Sequence, residues 1–109
     1  MDTIEDWIRE LQQTQKLIIV EGKKDLKALA SFGITKAIEI SGPFYKFIES
    51  IEDEDVIILT DLDSEGKKLY SKIKHHLQKR GVRIDNHFRE FLFTTQITTI
   101  ESLSKVEQN

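Results

Sequence analysis

Read for the spacing of its apolar positions, the chain switches repeatedly between two patterns. Ile4, Trp7, Ile8 and Leu11 recur at i, i+3, i+4 and i+7, the stripe of an amphipathic helix that Asp2 or Thr3 can cap. Leu17 to Val20 then run apolar without alternation, as expected of a strand covered on both faces of a parallel sheet. Helical spacing returns with Leu26, Leu29 and Ala30 and stops at Gly33. Ala37 to Ile40 predict a short second strand, Ser41-Gly42-Pro43 a turn, and Phe44, Phe47, Ile48 and Ile51 a short helix. A third strand is expected over Val56 to Thr60. The helix after it should run from Ser64 to about Arg80, with Leu69, Tyr70, Ile73 and Leu77 on one face and Gly81 as its stop. Val82 to Ile84 read as a fourth strand. Beyond Asn86 the pattern weakens: Phe88, Phe91, Leu92 and Phe93 need a core or a partner, and Ile97 to Val106 suggest a last helix.

Strands alternating with helices at this spacing predict an α/β fold, an about four-stranded, mostly parallel sheet flanked by helices. The chain is expected to be a single domain over 1–109, with a core at about 16–84, an N-terminal helix at 2–15 and a C-terminal extension at 85–109. Open sheets of this kind bind ligands outside the carboxyl ends of their strands. Glu21 stands at the end of the first apolar run, in LIIVEGKKD, and Asp61 and Asp63 at the end of the second, in VIILTDLDSEG. If those two strands lie parallel, three carboxylates meet at one edge.

Composition narrows the chemistry. With no cysteine, the chain has no disulfide, thiolate metal site or cysteine nucleophile. Only three histidines are present, so a metal here would take oxygen ligands. Charged residues make up 32% of the chain for a formal net charge of −3, which does not advertise nucleic-acid binding; the distribution matters more. Lys67, Lys68, Lys72, Lys74, Lys79 and Arg80 face only Glu65 along one helix, whereas Glu49, Glu52, Asp53, Glu54 and Asp55 cluster just before the third strand. No apolar run approaches the roughly 18 residues of a membrane span. The acidic, amphipathic start lacks the features of a signal peptide, so a cytoplasmic location is expected.

Three adjacent carboxylates repel one another and stay ionised most easily around a cation. An all-oxygen set suits Mg²⁺ or Mn²⁺. Three protein ligands leave positions open for water or phosphate oxygens, as catalysis on a phosphodiester requires. Competing motifs fail on particular residues. Asp61, Asp63, Glu65 and Gly66 imitate a calcium-binding EF-hand loop, but its twelfth position would be Lys72 and a strand replaces the entering helix. A phosphoaspartate phosphatase also places Asp-x-Asp after a strand, though its other motifs have little room here. EGKK lacks the glycines of a nucleotide-binding P-loop.

The order strand, Glu21-Gly22, helix, strand with Gly42, strand, Asp61-x-Asp63 and Gly66 resembles the Toprim domain. That domain is shared by bacterial primases, type IA and type II topoisomerases and a ribosomal-RNA maturation nuclease. The similarity covers roughly Lys16 to Ile84 and is greatest to small stand-alone Toprim proteins. It implies a Rossmann-like Toprim fold, with Glu21 as the catalytic general acid or base that also approaches the metal. It further implies Asp61 and Asp63 as Mg²⁺ ligands, and Gly22, Gly42 and Gly66 as structural turn residues. Lys23 and Asp25 match common neighbours of the glutamate.

The expected activity is metal-dependent, nuclease-like phosphodiester chemistry on RNA or DNA. The alternatives are a non-catalytic Mg²⁺-dependent nucleic-acid-binding module that works with a protein partner, and primase-like nucleotidyl transfer. Lys23, Lys67 and Lys68 are the candidate phosphate contacts, although a solvated helix face would look the same. The remaining polar candidates read more plainly. His75 and His76 belong to the surface, Ser64 to a helix N-cap, and Tyr45 and Tyr70 to packing; His87 and Arg89 could reach the acidic edge.

Overall fold

The computed structural model describes residues 1–106. Among them the apolar runs form β1 (Leu17–Val20), β2 (Ala37–Glu39), β3 (Asp55–Leu59) and β4 (Arg83–Asp85). All pair in parallel, in the order β2-β1-β3-β4. The longest runs in the sequence take the centre, with Leu17 opposite Val56 and Val20 opposite Leu59. Both central strands are buried on both faces, which is why their sequences show no alternation.

Successive residues of a strand point to opposite faces, and the two faces carry separate cores. Ile18, Val20, Ile57 and Leu59 pack under α1 (Ile4–Gln13), α2 (Lys23–Ala30), α5 (His87–Leu92) and a 3₁₀ helix, Glu101–Lys105. Leu17, Ile19, Val56 and Ile58 pack under α3 (Phe44–Ser50) and α4 (Ser64–Lys79). Thr3 caps α1 by accepting the Asp6 N–H at 3.1 Å. Trp7, fully buried, donates its indole N–H to the Phe88 carbonyl at 2.7 Å and meets the Phe88 ring edge-on. α1 is thereby tied to α5 through a side chain whose truncation would cost about 3–5 kcal/mol. Among the described residues no helix is long and apolar enough to cross a membrane.

Several boundaries differ from the sequence expectation. β3 begins and ends one residue early, at Asp55 and Leu59, and β4 starts one residue late, at Arg83. Tyr45 is 63% exposed rather than packed, its ring edge-on to Phe44 and His76. The segment from Ile97 to Val106 is not one helix: it crosses the sheet edge as irregular chain before the short 3₁₀ helix. Its backbone is engaged elsewhere, since the Leu62 N–H donates to the Thr98 carbonyl at 2.8 Å and the Ile100 N–H to Asp61 Oδ1 at 3.0 Å. Residues 107–109 of the expected C-terminal extension lie outside the described residues.

Candidate functional site

The strand order sets where a ligand can sit. From β1 the chain moves to one edge of the sheet and from β3 to the other, so the carboxyl ends of β1 and β3 flank a topological switch point. Glu21 follows β1 directly and Asp61 follows β3 by two residues. The two loops touch: Glu21 Oε2 accepts the Asp61 backbone N–H at 2.7 Å. Asp61 Oδ1 in turn accepts the Ile100 N–H, and Asp63 Oδ1 accepts the Gly66 N–H at 2.7 Å. Each of the three carboxylates therefore commits one oxygen to a backbone amide. Among the described residues the second oxygen of each makes no hydrogen bond.

The caps differ from expectation. Asp63, in extended backbone, is the N-cap of α4, and Ser64 is the first helical residue. Gly22 precedes α2 as its N-cap, while the Asp25 carboxylate reaches back to the Gly22 N–H at 3.1 Å. Glu21 is thereby free of a capping role, and its carboxylate bridges to the Asp61 loop.

Backbone proximity gives the Asp61-to-Asp63 turn its shape. A Cβ on Gly66 would lie 1.9 Å from the Asp61 carbonyl oxygen, a distance no side chain tolerates. Buried Thr60 donates its hydroxyl to the Gly66 carbonyl at 2.8 Å and closes the turn from beneath. Gly42 has φ +68°, in the region that favours glycine. Gly22 is different: its backbone is extended and a Cβ there would meet nothing within 4 Å. The turn expected at Gly22 thus needs no glycine for steric reasons.

Electrostatics mark the same edge. Burial pushes the Glu21 carboxyl above its ordinary range; the Asp61 amide opposes this, and the charges of Asp61, Asp25 and Asp63 add to it. Asp25, 7% exposed, is raised likewise by burial against the Gly22 amide, with Asp61 and Glu101 contributing. Behind these acids Arg89 is 4% exposed and donates Nη2–H to the Asp61 carbonyl at 2.9 Å. Its guanidinium stacks 4.4 Å from the Tyr70 ring centroid and 5.2 Å from that of Phe93. Burial lowers its pKa, and Tyr70, Glu90, Glu21 and Asp61 pull the other way. A buried cation thus holds the Asp61 backbone and leaves the Asp61 carboxylate to other partners.

The expected lysines lie on exposed positions around this edge. Lys23 opens α2; Lys67 and Lys68 sit in the first turns of α4. Lys67 Nζ is 5.6 Å from the Phe93 ring centroid, and Lys68 lies 4.0 Å from Glu65. His87 is drawn away from the edge, pairing with Asp85 and lying 4.0 Å from Glu10.

Among the described residues, no three His, Cys, Asp or Glu side chains are grouped as a set that could hold one metal ion. Mg²⁺ commonly needs fewer protein ligands, one or two carboxylates, with water and substrate phosphate completing its shell. The free oxygens of Asp61 and Asp63 fit that limited demand. Sequence reasoning under-weighted Asp25 and Arg89 and missed Glu101 and the Ile100 amide. A buried Asp three residues after Gly22 had a signal, its position to cap α2. Arg89 could be placed near the acidic edge because it follows the fourth strand, but nothing local signalled that it would be buried.

The family model of the Toprim domain matches residues 16–91. The chain belongs to the Toprim domain family. It is 27% identical to a UPF0292 protein of Archaeoglobus fulgidus, over 94% of this chain and 81% of that protein. A UPF0292 protein of Methanocaldococcus jannaschii is 32% identical, over 86% of this chain and 80% of its own. Ribonuclease M5 of Borreliella burgdorferi is 31% identical over 89% of this chain, though the match spans only 54% of that enzyme. A solved structure of a protein from Aquifex aeolicus superposes with a TM-score of 0.88 and 36% identity, over 94% of this chain and 99% of that one.

Proposed function

We propose that this protein is a Mg²⁺-dependent Toprim nuclease that cleaves phosphodiester bonds in nucleic acid, with Mn²⁺ able to substitute. The observation that carries the reading is the contact of Glu21 with the Asp61 loop at the β1/β3 switch point, with Asp63 two residues further along that loop. There each of the three carboxylates has one oxygen fixed by a backbone amide and one uncommitted. The likeness to ribonuclease M5 supports nucleic acid as the substrate class.

Asp61 and Asp63 would hold the cation through their uncommitted oxygens. A bound Mg²⁺ supplies Lewis-acid polarisation of the phosphate and neutralises charge developing on it. Glu21, whose carboxyl is raised by burial and neighbouring acids, is suited to hold or pass a proton. Its Oε2 is steadied by the Asp61 amide, leaving Oε1 for that proton or for the ion. Arg89 fixes the Asp61 backbone from behind. Lys23, Lys67 and Lys68 contact substrate phosphates. The protein acts as a single domain in the cytoplasm.

The test is incubation of purified protein with labelled single-stranded, duplex and structured RNA and DNA in Mg²⁺, Mn²⁺ or EDTA. Cleavage that requires the metal and is lost in Glu21→Gln is expected. Metal-dependent binding without turnover on every substrate would replace this reading with a non-catalytic binding module. Nucleotide incorporation would replace it with primase-like transfer. Equal Mg²⁺ affinity by calorimetry in wild type and in the Asp61→Asn/Asp63→Asn variant would remove the ligand assignment.

A further inference from the structure

Next to the acidic edge lies a second feature of opposite charge. Between α2 and the C-terminal 3₁₀ helix is a cavity of about 480 Å³ lined by Lys24, Lys27, Lys105, Thr99, Ser102 and Glu101, among others. Three lysines and a single glutamate thus line it. Among the described residues none of the three lysines forms an ion pair. Lys16, Lys36 and Lys68 each have an acidic partner within 4.0 Å; what sets this cavity apart is that three lysines without one line the same concave surface.

The backbone of both walls is fixed by the core, and Lys24, Lys27, Glu101 and Lys105 are exposed upon it. Lys24 and Lys27, at i and i+3, share one face of α2 with Ala28, which also lines the cavity, while buried Asp25 and Leu29 fix the other face. Ile100 and Leu103, both fully buried, anchor the other wall, and the Ile100 amide is bonded to Asp61 itself. Thr99 and Ser102 add hydroxyls; the Ser102 hydroxyl donates to the Thr99 carbonyl at 2.7 Å, which leaves its oxygen lone pairs to accept. The volume falls within the range that takes a small molecule of nucleotide size.

We propose that this cavity is a phosphate-ester subsite, separate from the carboxylate edge and from Lys67 and Lys68 on α4. Ammonium donors without internal partners suit a phosphate as point charges, and hydroxyls complete its hydrogen bonds. Glu101 excludes a uniformly anionic ligand face, so the subsite favours a ligand with a donor beside its phosphate, as a ribose or base supplies. The cavity also shares a wall with the acidic site: α2 begins two residues after Glu21, and the Glu101 charge acts on Asp25. A strand bound for cleavage would leave the carboxylates along α2 and place a flanking or terminal phosphate among Lys24, Lys27 and Lys105. That placement rests on the proposed nuclease reading; the phosphate subsite itself does not.

The test is an amide NMR titration of the full chain with inorganic phosphate, a nucleoside 5′-monophosphate, and a short single-stranded oligonucleotide with or without a 5′-phosphate. Shifts centred on Lys27, Thr99, Glu101 and Ser102 are expected. Affinity should weaken at least about tenfold in Lys24→Ala/Lys27→Ala and fall with added salt, as phosphate contacts do. Preference for the monophosphate would identify a free nucleotide as the source, and preference for the oligonucleotide a strand. Shifts confined to other regions, or equal affinity in the double variant with its fold intact by circular dichroism, would overturn the subsite. Glu21→Gln separates the two readings, since it should abolish cleavage and leave phosphate shifts in the cavity unchanged. Cavity shifts without cleavage by wild type would sink the nuclease and keep the subsite.

Discussion

Two groups of carboxylates flank the sheet, and their surroundings differ in kind. Asp55, the first residue of β3, receives two hydrogen bonds from Arg83, at 2.7 and 2.8 Å, and Asp85, the last residue of β4, accepts one from Lys16 at 2.8 Å and pairs with His87. The Asp55 carboxyl is held below its ordinary range by the Arg83 hydrogen bond. Burial would raise Asp85, but Lys16 and His87 outweigh it and leave that carboxyl lowered too. Beyond the carboxyl end of β1, Glu21 and, in the first turn of α2, Asp25 are raised. Their hydrogen bonds come from neutral amides, and the buried arginine nearby binds a carbonyl instead. Acids that stabilise a fold acquire counter-charges within the chain. Acids left to be satisfied by backbone dipoles carry a cost that an external cation would relieve.

The largest expected effect tests how the unpaired edge is held. Its geometry depends on backbone approach, so Gly66→Ala forces a Cβ against the Asp61 carbonyl, where the distance would be 1.9 Å. We expect a loss of about 3 kcal/mol or more in urea denaturation, in the range of severe overpacking. Unchanged stability in the Gly66→Ala variant would mean that the close approach does not shape the site.

Next comes the external cation. Because Mg²⁺ would bind only the folded edge, a concentration about 100-fold above its dissociation constant should add about 2.7 kcal/mol to stability. The gain should disappear in Asp61→Asn/Asp63→Asn and persist in Asp85→Asn, measured by thermal melts with and without the ion. A gain that tracks Asp85 instead would reverse the roles of the two groups.

Without metal, the comparison predicts opposite signs for similar substitutions. Asp85→Asn removes a carboxylate bonded to Lys16 and should cost about 1–2 kcal/mol. Glu21→Gln removes a disfavoured charge while its amide oxygen can still accept from Asp61, and should stabilise the metal-free protein by about 0.5–1 kcal/mol. The pH profiles follow. Asp85's contribution is complete above its ordinary value of 3.8 and is lost as pH falls through its lowered folded value. The cost at Glu21 is absent below its ordinary 4.5 and grows as pH rises through its raised folded value. Glu21→Gln should therefore flatten the decline in metal-free stability on the alkaline side of pH 4.5, and Asp85→Asn the decline below about pH 4. Identical profiles for the two variants would erase the distinction.

How far the sequence shows this contrast depends on the range of each interaction. β1 and β3 are legible because burial on both faces leaves an uninterrupted apolar run, and their ends deliver Glu21 and Asp61 wherever the sheet is parallel. α4 is legible because Leu69, Ile73 and Leu77 repeat at helical spacing. The edge strands β2 and β4, three residues each, carry too short a pattern to fix their limits. The path of residues 94–100 has no periodic signature at all, because its hydrogen bonds reach back to Asp61 and Leu62. The burial of Arg89 depends on Tyr70 and Phe93 arriving from separate segments. The acids could be named from local order; Arg89 could be named as a neighbour of the edge, but not as a cation buried behind it.

The smallest expected effect concerns the other glycine of the edge. Gly22 shares its motif with Glu21 as Gly66 does with Asp61 and Asp63, and by sequence the two are equivalent. In the structure they are not, since Gly22 lies in extended backbone with open space where a Cβ would stand. Gly22→Ala should change unfolding free energy by no more than about 0.5 kcal/mol, because no strain is introduced and the unfolded chain loses some freedom. If stability is kept but cleavage or nucleic-acid affinity falls, the space beside Gly22 is occupied by substrate, and the glycine serves the ligand rather than the turn. If both are unchanged, the β1 end tolerates a side chain that the β3 end cannot, and the rigid half of the site is the loop from Asp61 to Gly66.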